Sequence, residues 1–149
     1  MFDKLQPQAI ELEKSVLGGM MLDKDAVADV IDMLQPESFY LDAHQHIYEA
    51  IREMFNRSKP VDILTVCEQL RKNGKLEEVG GPFYITNLTS RLGSTANIEY
   101  HARIVSEKHI LRSLIETSNR IIKDAYEETT DVFELLDGAE QNLFSITEQ

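Results

Sequence analysis

The sequence has 149 residues, 42% of them hydrophobic, and a net charge of −11. That length suits one domain, or a small domain with an appendage, in an ordinary soluble globular class. The acidic balance disfavours direct DNA binding by this chain alone, because contact with nucleic acid needs an excess of Lys and Arg. No apolar run approaches the ~20 residues needed to cross a bilayer. The opening MFDKLQPQAIELEK mixes charges early and lacks a signal-type apolar core. Cys67 is the sole cysteine, so no internal disulfide forms, and a reducing, cytoplasmic location is expected.

Nearly every segment reads as helix. Over residues 8–21, after Pro7, Ile10, Leu17 and Met21 share one face, with Ala9, Leu12, Val16 and Met20 beside it. Residues 25–34 place Val27, Val30, Ile31 and Leu34 at helical spacing, and Pro36 interrupts. Asp42 with Gln45 reads as a capping box ahead of Ile47, Ile51 and Met54, flanked by Tyr48 and Phe55. Asp62 is a cap for Ile63, Val66, Cys67 and Leu70, and Asn73-Gly74 is a stop. Gly80-Gly81-Pro82 is a turn that sets Pro82 at a first helical position, followed by Phe83, Ile85, Leu88 and Leu92.

Residues 93–97, Gly-Ser-Thr-Ala-Asn, are the clearest break. Beyond it, residues 98–127 form one long helical pattern, about 45 Å at the usual rise. A second helix is expected from about 132 to 147, with Asp131 and Glu134 as its capping-box pair. The fold class expected is all-α: a compact multi-helix globule over 1–97, then a long αα-hairpin over 98–149. Residues 98–149 carry 11 acidic and 5 basic side chains, a net charge of −6.

The hairpin carries more apolar surface than two helices cover. Ile104, Leu111, Ile115, Ser118, Ile122 and Ala125 follow steps of three and four, as in a coiled coil. Val105, Ile110, Leu114, Ile121 and Tyr126 lie beside them. The second helix offers Val132, Leu136, Ala139, Leu143 and Ile146, with Leu135 and Phe144 as neighbours. Such a doubled stripe needs a further neighbour, either the chain's own globule or a second hairpin across a two-fold axis. The length of the hairpin favours the second copy, because it would overhang a domain whose radius of gyration is about 12–13 Å. The expected subunit-interface residues are Ile104, Leu111, Leu114, Ile115, Ile121, Ile122, Leu136 and Leu143.

Motifs for chemistry are scarce. The phosphate-binding pattern G-x-x-x-x-G-K-[ST] is absent, so no P-loop hydrolysis is expected and no catalytic, cofactor or metal residue is assigned. Gly18-Gly19 inside a helical pattern reads first as a helix end or internal packing contact, and second as close approach of a partner helix. His44 and His46 are two apart and face nearly opposite sides of a helix, which disfavours a metal pair. His101 and His109 read as boundary residues, Cys67 as a small core residue, and Arg71-Lys72 with Lys75 as a solvated helix end. A helix-turn-helix regulator over 62–76 and 83–88 lacks the cationic recognition helix that role requires. A carboxylate enzyme or metalloenzyme built on Asp29 and Asp32 competes with their reading as a solvated face.

Four stretches together resemble the N-terminal domain of the bacterial replicative helicase (DnaB-type) family. They are PQAIELEKSVLGGMMLD at 7–23, ESFYLDAHQHIYEAIREMF at 37–55, KPVDILTVCEQLRKNGKLEEVGGPFYITNL at 59–88 and TANIEYHARIVSEKHILRSLI at 95–115. Their order and joint presence are specific, and the third is the most diagnostic. The resemblance implies a helical globule followed by a hairpin that pairs between subunits. It implies a tier of a hexameric ring, a trimer of dimers, that also binds primase and, in some lineages, a loader. It places ATP, Mg and the DNA-binding loops in a C-terminal motor domain that this sequence does not contain. DNA is then met only through the parent hexamer, with no membrane partner.

Overall fold

The structure, a computed structural model, describes residues 4–148. Among them are seven α-helices and one 3-10 turn, with no strand. The helices are α1 (Ile10–Leu22), α2 (Lys24–Ile31), α3 (Asp42–Asn56), α4 (Ile63–Lys72), α5 (Gly81–Ser90), α6 (Ile98–Tyr126) and α7 (Val132–Thr147), and the turn is Pro36–Ser38. The expected all-α class holds, and α6 and α7 begin where the sequence places them. The described chain forms two compact units. One is residues 8–108, and the other is residues 4–7 with 109–148.

In the globular unit, α1 is the central rod. Its second half is apolar on every side, and Val16, Leu17, Met20 and Met21 are all buried. A helix of that kind needs neighbours all round it; α2, α3 and α5 supply them. Gly18 allows α5 to come close. A Cβ built there would stand 2.2 Å from the carbonyl oxygen of Leu88. That obstacle is backbone and has no rotamer to escape into. The two-glycine step is therefore an internal packing contact. Gly19 is less constrained, because its Cβ would press on the end of the Ile98 side chain at 2.6 Å and otherwise meet Thr95 Cγ2 at an ordinary 3.5 Å, with no backbone in the way.

The remaining core follows the sequence periodicity. Ile47, Ile51 and Met54 of α3 are buried, as are Val66 and Leu70 of α4 and Ile85 and Leu88 of α5. Phe39 and Tyr48 pack ring on ring at 5.0 Å, and the Tyr48 hydroxyl donates to the Leu34 carbonyl at 2.8 Å, closing the end of the α2 segment. The first turns of α6 add Ile98, Ala102 and Val105 to the same core. Hence the globular unit runs past residue 97 to Lys108, and Val105 belongs to it although the periodicity grouped Val105 with the hairpin stripe.

Helix ends test the capping signals one by one. Asp62 and Thr65 form a reciprocal box, each backbone amide meeting the other's side chain at 2.9 Å. Asp23 caps α2 and also accepts from the Thr95 hydroxyl. The expected Asp42–Gln45 box does not form. Asp42 is already the first residue of α3, Leu41 is the cap residue, and the Gln45 amide donates instead to the Phe39 carbonyl at 2.8 Å. Pro82 sits at the second rather than the first position of α5, because Gly81 opens the helix. Gly80 and Gly81 hold φ of 115° and 74°, a reversal that side-chain-bearing residues resist.

One buried polar network ties three helices together. Glu13 of α1 and His44 of α3 are almost fully buried. His44 Nδ1 lies 2.7 Å from Glu13 Oε1, and its Nε2 lies 2.6 Å from the Tyr84 hydroxyl of α5. The second Glu13 oxygen accepts from the Tyr40 amide at 2.7 Å. With the Nδ1 hydrogen directed at Glu13, Nε2 is left to accept from the Tyr84 hydroxyl. Burial, then the Glu13 and Glu11 carboxylates, push the Tyr84 hydroxyl above its usual range and keep it protonated. His46 points elsewhere, to Glu78 at 3.0 Å, so the two histidines share no ligand.

Two stability effects are expected in chemical denaturation. Gly18→Ala should cost about 1–3 kcal/mol through overpacking, whereas Gly19→Ala should cost clearly less. Equal tolerance at both positions would contradict the α1–α5 packing. Tyr84→Phe should cost about 1–3 kcal/mol by leaving His44 Nε2 buried without a donor. A Tyr84→Phe chain as stable as the parent would show that the network is not closed in solution.

Candidate assembly interface

The second unit is built from the later part of α6, the 127–131 turn, α7 and residues 4–7. Asp131 caps α7 by accepting from the amides of Phe133 and Glu134, which satisfies two of the orphan donors at the helix start. The opening segment is pinned to α6 by Arg112, whose guanidinium donates to the Pro7 carbonyl at 2.8 Å.

This unit has little interior. Among residues 109–148, Thr117 and Ile146 alone are buried. Leu111, Leu114, Ile115 and Ile122 of α6 are exposed, and so are Val132, Phe133, Leu136, Leu143 and Phe144 of α7. Ile121 is half-buried. Ile104 is also half-buried, but it lies in the globular unit. The structure therefore gathers seven of the eight expected interface residues on this unit, and six of those seven remain exposed to solvent.

Residues 4–6 take part in a way the sequence did not signal. Leu5 is 78% exposed, yet it forms one wall of a groove of about 710 Å³ with Leu114, Ile115 and Ile122 opposite. Lys4 and Lys123 stand in the same lining. Charge is divided unevenly within the unit: Arg112, Arg120 and Lys123 all lie on α6, whereas residues 127–149 contain seven acidic side chains and no Lys or Arg. Arg120 is engaged by Glu116 at 3.1 Å.

Burial pushes the Cys67 thiol up, the opposite of what a thiolate nucleophile needs. Among the described residues, no three His, Cys, Asp or Glu side chains gather as a metal site. No described helix is long and apolar enough to cross a membrane.

A family model for the DnaB-like helicase N terminal domain matches residues 5–107, ending beside the edge of the globular unit at Lys108. The replicative DNA helicase DnaB of Rhodothermus marinus is 43% identical over 145 residues, 97% of this chain. The replicative DNA helicase DnaC of Bacillus subtilis (strain 168) is 41% identical over 147 residues, 99% of this chain. This chain spans 15% and 32% of the lengths of those two proteins. The crystal structure of the N-terminal domain of DnaB helicase from Mycobacterium tuberculosis superposes with a TM-score of 0.90 at 40% identity, covering 95% of this chain and 99% of that one. A DnaB-like replicative helicase, described with its interactions with primase, superposes with a TM-score of 0.75 at 25% identity, covering 91% of this chain and 31% of that one. The helical globule, the hairpin that follows it and these matches across both units agree: the chain belongs to the DnaB-like helicase N-terminal domain family.

Proposed function

We propose that this chain is the assembly and docking domain of an ATP-dependent replicative DNA helicase, and that it pairs with a second copy through residues 109–148. The observation that carries the reading is the mismatch between the two buried residues of that unit and its exposed Leu, Ile and Phe side chains. Each Å² of such surface left in water forgoes about 25 cal/mol. Two copies related by a two-fold axis bury the same patch on both, as an isologous interface does.

Such pairs then build the N-terminal tier of a hexameric ring, a trimer of dimers. Primase is the partner for the completed tier, a reading supported by the primase interactions described for the DnaB-like structural neighbour. A loader is a further partner in some lineages of the family. ATP, Mg and DNA are handled by the motor portion of the parent protein, in the cytoplasm. This chain supplies no phosphate-binding loop, and its role is geometric: it sets which subunits are neighbours.

Sedimentation equilibrium tests the pairing. The expected result is a concentration-dependent dimer that Leu114→Glu or Leu136→Glu disrupts while far-UV circular dichroism stays unchanged. A parent chain that remains monomeric at high concentration would overturn the reading.

A further inference from the structure

We infer that the groove between residues 4–6 and α6 receives α7 of a second copy, with Lys123 and Lys4 meeting the acidic side chains that α7 carries within its exposed apolar band. The inference rests on the pairing proposed above and specifies which surfaces meet.

It starts from the pattern of α7. At 100° per residue, the half-buried Leu135 and Ala139 and the buried Ile146 cluster on one side. Val132, Leu136 and Leu143 follow next around the helix, then Phe133 and Phe144, and all five are exposed. Glu140 falls inside this band, one turn after Leu136 and one turn before Leu143. Asp137 lies at its edge. Covering the band with a second copy therefore desolvates Glu140, and a buried carboxylate is costly unless a cation meets it. No cation is available nearby on the same helix, because residues 127–149 contain neither Lys nor Arg.

The groove offers what α7 lacks. Its apolar lining of Leu5, Leu114, Ile115 and Ile122 matches the band in chemistry, and an amphipathic helix laid in an apolar groove is a common recognition mode. Its wall of residues 4–6 is held by the Arg112 to Pro7 hydrogen bond. Of the cations in this unit, Arg112 is occupied by that bond and Arg120 by Glu116. Lys4 and Lys123 have no ion-pair partner among the described residues, and both line the groove. A two-fold axis makes the exchange mutual, each α7 lying in the other copy's groove, so the charge pairing occurs twice per dimer.

Charge reversal in the full chain tests this by sedimentation equilibrium. Lys123→Glu and Glu140→Lys should each weaken the dimer about tenfold or more, and the double variant should recover most of that loss. Leu5→Asp should weaken it comparably, although Leu5 lies outside α6 and α7. As a check that needs no variant, carbodiimide coupling of the unaltered dimer followed by mass spectrometry should yield intermolecular amides from Lys123 or Lys4 to α7 carboxylates. If the parent dimerises but the single reversals are neutral, the double is no better than the singles, or the coupled dimer lacks those amides, the groove assignment is overturned while hairpin pairing stands. A parent that does not dimerise overturns both.

Discussion

Apolar side chains on α6 and α7 need more cover than the two helices give each other, and the proposed role of this domain rests on that shortage. A helix pair in isolation buries one stripe on each partner. Here the stripes are wider than that, and most of the apolar side chains on them stay exposed. The surplus is concentrated in Leu, Ile and Phe, whose burial contributes most per side chain. A surface of this kind marks a site of association, and under the proposed pairing a second copy covers it. The opposing term is charge: residues 98–149 carry a net charge of −6, so two such units repel unless their few cations are well placed.

The globular unit shows the contrasting case, a core complete within one chain. Its helices meet α1 so closely that one contact is backbone against backbone, at Gly18 and Leu88. Its buried polar groups are answered, because both Glu13 oxygens, both His44 ring nitrogens, the Tyr84 hydroxyl and the Tyr40 amide each have a partner. No buried side-chain polar atom among the described residues lacks a partner. A unit closed in this way has a core complete in itself. It contributes the first turns of α6 through Ile98, Ala102 and Val105, and so fixes where the long helix begins. The division of labour is physical: one unit is self-sufficient, and the other has most of its apolar surface still to bury.

Much of this was legible in the sequence because it is local. The steps of three and four, the break at residues 93–97 and the Asp62 and Asp131 caps all depend on residues within a turn or two of each other, and all appear in place. The failures are of two kinds. At Asp42 the local signal was present, but the helix starts one residue early, and Gln45 has a better acceptor in the Phe39 carbonyl. At Val105 the periodicity is continuous across α6, and a continuous stripe carries no mark where the globular core ends and the open surface begins. What stayed invisible is long-range. Glu13, His44 and Tyr84 are far apart along the chain, as are Pro7 and Arg112, and nothing near any of them announces its partner. The groove wall formed by residues 4–6 belongs to this second kind.

Backbone amide hydrogen exchange, followed residue by residue over a range of protein concentrations, tests the central claim most directly. The expected result is that amides of residues 111–126 and 132–147 gain protection as concentration rises, while those of residues 16–21 and 47–54 are strongly protected at every concentration. The contradicting result is protection of α6 and α7 that is already high in dilute solution and does not change with concentration, which would mean that a single copy covers its own apolar surface.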